Sequence, residues 1–225
     1  MKTHNKTQHI ILILFCIMLG GQTAQAQKSK FNLTNFSTED GGEIEGALFK
    51  GSTTDIVLFA HGAVFNKESW YPMAELFQYR GISSLCIDFR GYGKSTSKND
   101  KEKFYDILGA VDYLKSKNYK NIYIIGGSMG GAAILNAMEK RTDPLIQKIV
   151  LLAPAGGSPL KNKDIEKLFI ISKEESLYHK VQTLYKDSSK KKTIKVYTGK
   201  AHAQHMFKEP YGKELSNFIL EFILE

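Results

Sequence analysis

The chain has 225 residues, 42% of them hydrophobic and 24% charged, with a net charge of +8. That hydrophobic share, with 19 glycines and 5 prolines, excludes a disordered or collagen-like chain and fits a globular protein with a sizeable core. The positive excess is spread along the sequence, apart from Lys190-Lys191-Lys192, and forms no aromatic and basic stripe; no nucleic-acid partner is read from it.

Residues 1–26 read as a leader. Lys2 and Lys6 form a basic start, Ile10 to Leu19 is an unbroken apolar run, and Ala24-Gln25-Ala26 supplies small residues for cleavage. This is the pattern of a secretory signal peptide, with a mature start at Gln27 and a periplasmic or secreted product. The apolar run is too short to span a bilayer as a helix, and Cys16 lacks the small residues that precede a lipidated cysteine. Residues 27–225 are then a single domain of net charge +6, because the leader takes two lysines and no acids with it. Cys86 is its one remaining cysteine, so the domain has no internal disulfide and stands on its core alone.

Phe31 to Lys50 reads as a β-hairpin around Asp40-Gly41-Gly42. Asp55 to Ala60 is nearly all apolar, as in a strand buried on both faces of a parallel sheet, and runs into His61-Gly62-Ala63-Val64-Phe65-Asn66. A helix is expected over about Ser69 to Tyr79, closed by Gly81. Ser83 to Asp88 is the next strand, followed by the turn-rich Phe89 to Ser95, and a helix over roughly Lys101 to Lys117. Further on come strands at Lys148 to Leu152, Lys167 to Ile171 and Thr193 to Tyr197. Helices are expected around Ser176 to Tyr185 and Tyr211 to Phe222. Strands and helices alternate, which predicts an α/β protein with a predominantly parallel sheet and helices on both faces.

The stretch from Ile122 to Gly131 carries the chemistry. Ile122-Tyr123-Ile124-Ile125 is a buried strand, Gly126-Gly127-Ser128-Met129-Gly130 is Gly-x-Ser-x-Gly, and Gly131-Ala132-Ala133 opens a helix. A serine on so tight a strand-to-helix turn presents its hydroxyl above the sheet edge, and side chains two residues either side would collide with strand and helix. Downstream of it stand three histidines, His179, His202 and His205. No metal-ligand cluster and no nucleotide-binding glycine pattern is present, so no cofactor is implied.

Three blocks in this order resemble the α/β-hydrolase fold family: His61-Gly62, Asp88-x-Arg90-Gly91-x-Gly93-x-Ser95, and the elbow at Ser128. The resemblance covers nearly all of residues 27–225 and is nearest to compact, single-domain serine esterases and peptidase-like members. It implies the chain order serine, acid, histidine. Ser128 is then the nucleophile and His202, after the last strand, the general base, with His205 three residues on as the alternative. The family spacing places the acid at Glu175, where aspartate is more usual, with Glu174 as its neighbouring rival. The oxyanion donors implied are the N–H groups of Met129 and of Ala63, with Val64 second. His61, Asp88 and Arg90 read as loop scaffolding. About a dozen residues separate Pro154 from Lys167, too few for a lid domain, so the site is expected to be open, walled by Phe65, Tyr92, Met129 and Phe207. The expected function is hydrolysis of accessible carboxylic esters of small molecules; an amide or peptide hydrolase, or a non-catalytic binding protein of the same fold, are the alternatives. Oligomeric state is not legible.

Overall fold

The structure is a computed structural model and describes residues 30–98 and 101–225; the leader expected over residues 1–26 lies outside them. The alternating segments around Asp40-Gly41-Gly42 pair antiparallel as β1 (Asn32–Ser37) and β2 (Glu43–Phe49), and Gly41 takes the turn position at φ +80°. The near-continuous apolar runs become β3 (Asp55–Ala60), β4 (Ser83–Ile87), β5 (Asn121–Gly127), β6 (Ile146–Leu152), β7 (Glu166–Ser172) and β8 (Lys192–Tyr197). These strands form one sheet of order β1-β2-β4-β3-β5-β6-β7-β8, parallel from β4 to β8 and antiparallel at the β1–β2–β4 edge.

Among the described residues four α-helices connect strands, α1 (Tyr71–Tyr79), α2 (Phe104–Ser116), α3 (Met129–Lys140) and α4 (Tyr178–Asp187), and α5 (Gly212–Leu224) follows the last strand. Packing of α1 on α5 and of α2 on α3 is the arrangement of a parallel sheet covered on both faces. The helix expected from Ser69 starts differently. Asn66 accepts from Glu68 N at 3.1 Å and caps a 3₁₀ turn over Lys67–Trp70, and α1 begins only at Tyr71. Pro72 falls in the first turn of α1, where its missing N–H costs nothing. Trp70 leaves that turn inward, its ring 5.1 Å from that of Phe59 on β3, and both rings are fully buried. Burial of each large apolar side chain contributes roughly 1.5–3 kcal/mol, so this layer fixes where the loop ahead of it can run.

Cys86 lies inside β4, paired with Ala47 of β2 and Phe59 of β3, and burial pushes its thiol pKa well up. Lys167, at the base of β7, is also fully buried. Its ammonium donates to Asn162 O at 2.6 Å, Ser189 Oγ at 2.8 Å and Lys190 O at 2.9 Å, tying two loops together, while burial lowers its pKa.

The chain passes from β3 outward to β4, then crosses back to place β5 on the other side of β3. At such a reversal the loops leaving the strands' carboxyl ends diverge and open a crevice. Ser128 leaves β5 at that crevice.

Candidate active site

The elbow is built as its glycines require. A Cβ on Gly130 would come within 2.3 Å of Ala60 O, and one on Gly126 within 2.9 Å of the Gly130 carbonyl carbon. Ser128 itself sits at φ +51°, ψ −112°, a strained conformation for a residue with a side chain. Its N–H donates to Leu152 O at 2.9 Å, and its carbonyl accepts from Ala132 N and Ala155 N, both at 3.0 Å. Those three bonds hold the strain in place.

Two further loops bring their residues to the serine. Beyond β8, Gly199 turns the chain at φ +97° and His202 stands ahead of a 3₁₀ turn over Ala203–Lys208. His202 Nε2 is 2.7 Å from Ser128 Oγ, and its Nδ1 is 2.8 Å from Glu175 Oε1 on the loop after β7. A carboxylate only accepts, so Nδ1 carries the proton and Nε2 is left to accept from the serine hydroxyl. The carboxylate side chain is 5% exposed and the imidazole 36%, so the chain of bonds runs from the interior to an open face. Glu175 Oε2 is buried and has no partner among the described residues.

Glu174 and Glu175 diverge. Glu174 is exposed; its N–H donates to Gly199 O at 3.0 Å and its carboxylate accepts from Gly199 N, so it holds the turn before His202 and does not face the imidazole. Ser172 Oγ adds a bond to Ala201 O at 2.6 Å. His205 is exposed with its ring 4.9 Å from that of Phe65, and His179 is exposed on α4.

The loop after β3 closes the crevice on the other side. Met129 N, at the first helical position, has no carbonyl a turn behind it in α3 to bond. His61 is buried, accepts from Phe89 N at 3.1 Å through Nε2 and donates to Gly62 O at 2.8 Å through Nδ1. Burial lowers its pKa, and with both nitrogens engaged it braces two loops. Gly62 lies against the serine: a Cβ there would be 3.4 Å from Ser128 Cβ. Ala63 and Val64 are both exposed at the tip of the turn that Phe65 N closes on Gly62 O at 3.0 Å.

Sequence reasoning missed Gln204. It is 4% exposed, its Oε1 accepts from Gly62 N at 2.8 Å and its Nε2 donates to Ser69 Oγ at 2.6 Å. A Cβ on Gly127 would meet the same oxygen at 2.8 Å. One amide thus bonds the histidine turn to the loop bearing Ala63 and to the turn bearing Ser69, and packs against the elbow. Its bonding partner is 142 residues away in sequence, and a glutamine two places after a histidine carries no local signal.

The expected walls divide into two groups. Phe65 and Phe207 line one cavity, while Tyr92 stands apart, its hydroxyl 3.6 Å from Met129 Sδ and its ring edge-on to His61. Beneath Tyr92 lies a charged scaffold. Lys67 Nζ donates to Asp88 at 2.5 Å and Glu45 at 2.9 Å, and these bonds outweigh burial and raise its pKa. Arg90 binds Asp106 through Nε at 2.8 Å and Asp40 through both terminal nitrogens. Burial pushes Asp106 up to about 6 against the pull of Arg90, whereas the Arg90 hydrogen bonds bring Asp40 down to about 2. Among the described residues no group of three His, Cys, Asp or Glu side chains could hold a metal ion.

A doubly covered parallel sheet with a strained serine at its central crevice defines a class of hydrolase-like α/β proteins. The family model described as alpha/beta hydrolase fold matches residues 55–186, more than half of the chain, and the chain belongs to that family. It is similar to the thiohydrolase aneE of Aspergillus aculeatus, with 32% identity over 142 residues, 58% of this chain and 45% of that protein. The chain thus spans about half the length of the curated relatives it matches. Two solved structures share the fold. An esterase of Pyrococcus furiosus superposes with a TM-score of 0.68 at 19% identity, over 85% of this chain and 92% of that one. An esterase from Exiguobacterium antarcticum superposes with a TM-score of 0.71 at 14% identity, over 85% and 99%.

Proposed function

We propose that this chain is an exported serine hydrolase that cleaves carboxylic esters of small molecules through Ser128, His202 and Glu175. The observation that carries the reading is the unbroken hydrogen-bond chain from Ser128 Oγ through the imidazole to the buried Glu175 carboxylate. Ser128 Oγ bonds to the acyl carbon while its proton passes to His202 Nε2, and Glu175 holds the imidazolium that forms. Charge gathers on the former carbonyl oxygen, where the N–H groups of Met129 and Ala63 stabilise it, each by roughly 3–4 kcal/mol. The tetrahedral species collapses, the carbon–oxygen bond to the alcohol breaks, and the alcohol leaves with the proton from His202. Water, deprotonated by the same imidazole, then releases the acid and restores the serine.

The family names of relatives, an esterase fold among structures and a thiohydrolase among sequences, support acyl transfer and make thioesters the first alternative acyl donors to assay. A fluorophosphonate probe tests the nucleophile. Labelling of the wild type at Ser128, absent in a folded Ser128→Ala variant together with its short-chain ester turnover, is the expected result. A wild type that takes no label is a binding protein of this fold. Export is checked by N-terminal sequencing of protein from its native cells, with a start near Gln27 expected.

A further inference from the structure

A cavity formed by described residues borders the Ser128 crevice through Phe65 and Gln204. It has a volume of about 530 Å³ between the start of α1 and the turn after His202, with walls from Phe65, Pro72, Met73, Leu76, Gln204 and Phe207. Three others, at Pro159, at Asp143 and at His179, include neither Phe65 nor Gln204, the two lining residues that lie against Gly62 beside the serine. We propose that this cavity receives a medium-length alkyl chain of the ester substrate. The assignment of the cavity to substrate rests on the reading of Ser128 as nucleophile.

Proximity comes first. The position that a Cβ would take on Gly62 is 3.4 Å from Ser128 Cβ and 3.5 Å from Phe65 Cδ2, so the Phe65 ring is two van der Waals contacts from the nucleophile. That ring is half-buried, rests on His205, and forms part of the cavity wall. It gives a chain attached at Ser128 a continuous apolar surface over which to leave the crevice.

The chemistry of the wall selects the occupant. Gln204 and Ser69 both face the cavity, but the amide donates to the Ser69 hydroxyl at 2.6 Å, and that hydroxyl donates to Asn66 O at 2.6 Å. Ser216 Oγ is likewise spent on Gly212 O at 2.8 Å. The Gln204 amide and the two hydroxyls on the wall are therefore already hydrogen-bonded within the protein, and Lys208, which is exposed, is the one charged side chain of the lining. A polar substrate group entering here would lose water without gaining a partner. A hydrocarbon chain loses nothing, and each methylene it buries is worth about a fourfold gain in kcat/KM, the equivalent of about 0.8 kcal/mol.

Two measurements separate this inference from the reading on which it rests. Trp70 is the sole tryptophan of the chain, and its ring is 5.7 Å from that of Phe207 on the cavity wall. In a Ser128→Ala background, 2-decanone should change Trp70 fluorescence saturably, 2-butanone should not, and Leu76→Tyr, which fills the cavity, should weaken the 2-decanone response at least tenfold. No saturable response, or an unchanged one in Leu76→Tyr, overturns the proposal whether or not the protein is an enzyme. The kinetic arm takes p-nitrophenyl acetate against p-nitrophenyl octanoate, and methyl acetate against octyl acetate, so that acyl and alcohol chains are distinguished. In one of the two pairs kcat/KM should rise at least tenfold with chain length in the wild type, and the ratio should collapse in Leu76→Tyr. Since each ratio is taken within one variant, a loss of folded protein leaves it unmoved. Turnover of the short esters with flat ratios in both pairs overturns the cavity and leaves the hydrolase standing. Binding of 2-decanone with no ester turnover does the reverse.

Discussion

Two sets of hydrogen-bonded side chains are built on the same sheet, one after β5, β7 and β8 and the other around the loops after β3 and β4. In one, Ser128, His202 and Glu175 are joined by single bonds in a line that ends in the open crevice. In the other, Lys67 and Arg90 each hold two carboxylates, and the two cations are buried. The line leaves bonding capacity unfilled: Glu175 Oε2 has no partner among the described residues, and Met129 N–H, at the start of α3, has no helix carbonyl behind it. The scaffold leaves little. Saturated bonding rigidifies a loop, whereas a group that must gain and lose a proton needs a partner it can release. The two regions should accordingly fail in different measurements when cut.

The largest effect belongs to the line. Glu175→Gln removes the group that fixes the imidazole tautomer, and kcat on a short ester should fall by about 10⁴-fold with thermal stability little changed. Glu174→Gln should leave kcat within a few-fold, since that carboxylate bonds Gly199 and not the imidazole; equal losses at both positions would erase the distinction. Next is the scaffold. Arg90→Leu strands Asp106, which is fully buried, and should cost about 3–5 kcal/mol in denaturant unfolding. The folded fraction of Arg90→Leu should keep its kcat, and adding Asp106→Leu should restore much of the stability.

Gln204 ties the histidine turn to Gly62 and to Ser69 in the Lys67–Trp70 turn, between the two regions, which makes it the sharper probe. Gln204→Leu leaves Gly62 N–H and the Ser69 hydroxyl short of a partner, and should lower kcat about tenfold with KM nearly constant, as expected for a loosened oxyanion loop. Gln204→Glu, which keeps an acceptor for Gly62 N–H, should recover part of that loss; equal falls in both variants would reduce the residue to a packing element. The smallest effect is at the scaffold's exposed end. Arg90 holds Asp40 at about 2 against an ordinary 3.8, so Asp40 contributes stability above the unfolded value and loses it as the pH falls from 3.8 toward 2. With its partial exposure discounted, this amounts to about 1 kcal/mol. Melting temperatures of wild type and Asp40→Asn should therefore differ at neutral pH and converge near pH 2; a gap constant with pH would refute the linkage.

What could be read ahead of the structure follows from the range of the signal. Asp55–Ala60 is a strand with the bounds its apolar run predicts, and Gly81 ends α1 at φ +81° as its position suggests. Both are local: a run of side chains, or one residue tolerant of positive φ. The parallel sheet and the alternation of helices were legible for the same reason, as was the elbow, whose serine and glycines are contiguous. The 3₁₀ turn at Lys67–Trp70 was not, because Lys67 turns inward to Asp88 and Glu45, and an inward lysine reads in sequence as an exposed one. Lys167 hides in the same way, its charge met by carbonyls and a hydroxyl from loops on either side of it. Glu174 and Glu175 are equivalent by composition, and the chain direction after β7 decides which of them reaches the imidazole.

Cys86 adds a consequence of a different kind. Without residues 1–26 it is the sole thiol of the chain, it has no exposed surface, and it lies on an interior strand of the sheet. A water-soluble disulfide reagent can reach it only through openings that part β4 from its neighbours, and its raised pKa keeps it unreactive in the closed state. The labelling rate of the native protein is therefore a clock for rare excursions of the sheet, readable without denaturant. Comparison of that rate with the unfolding rate would tell whether the sheet opens strand by strand or only all at once.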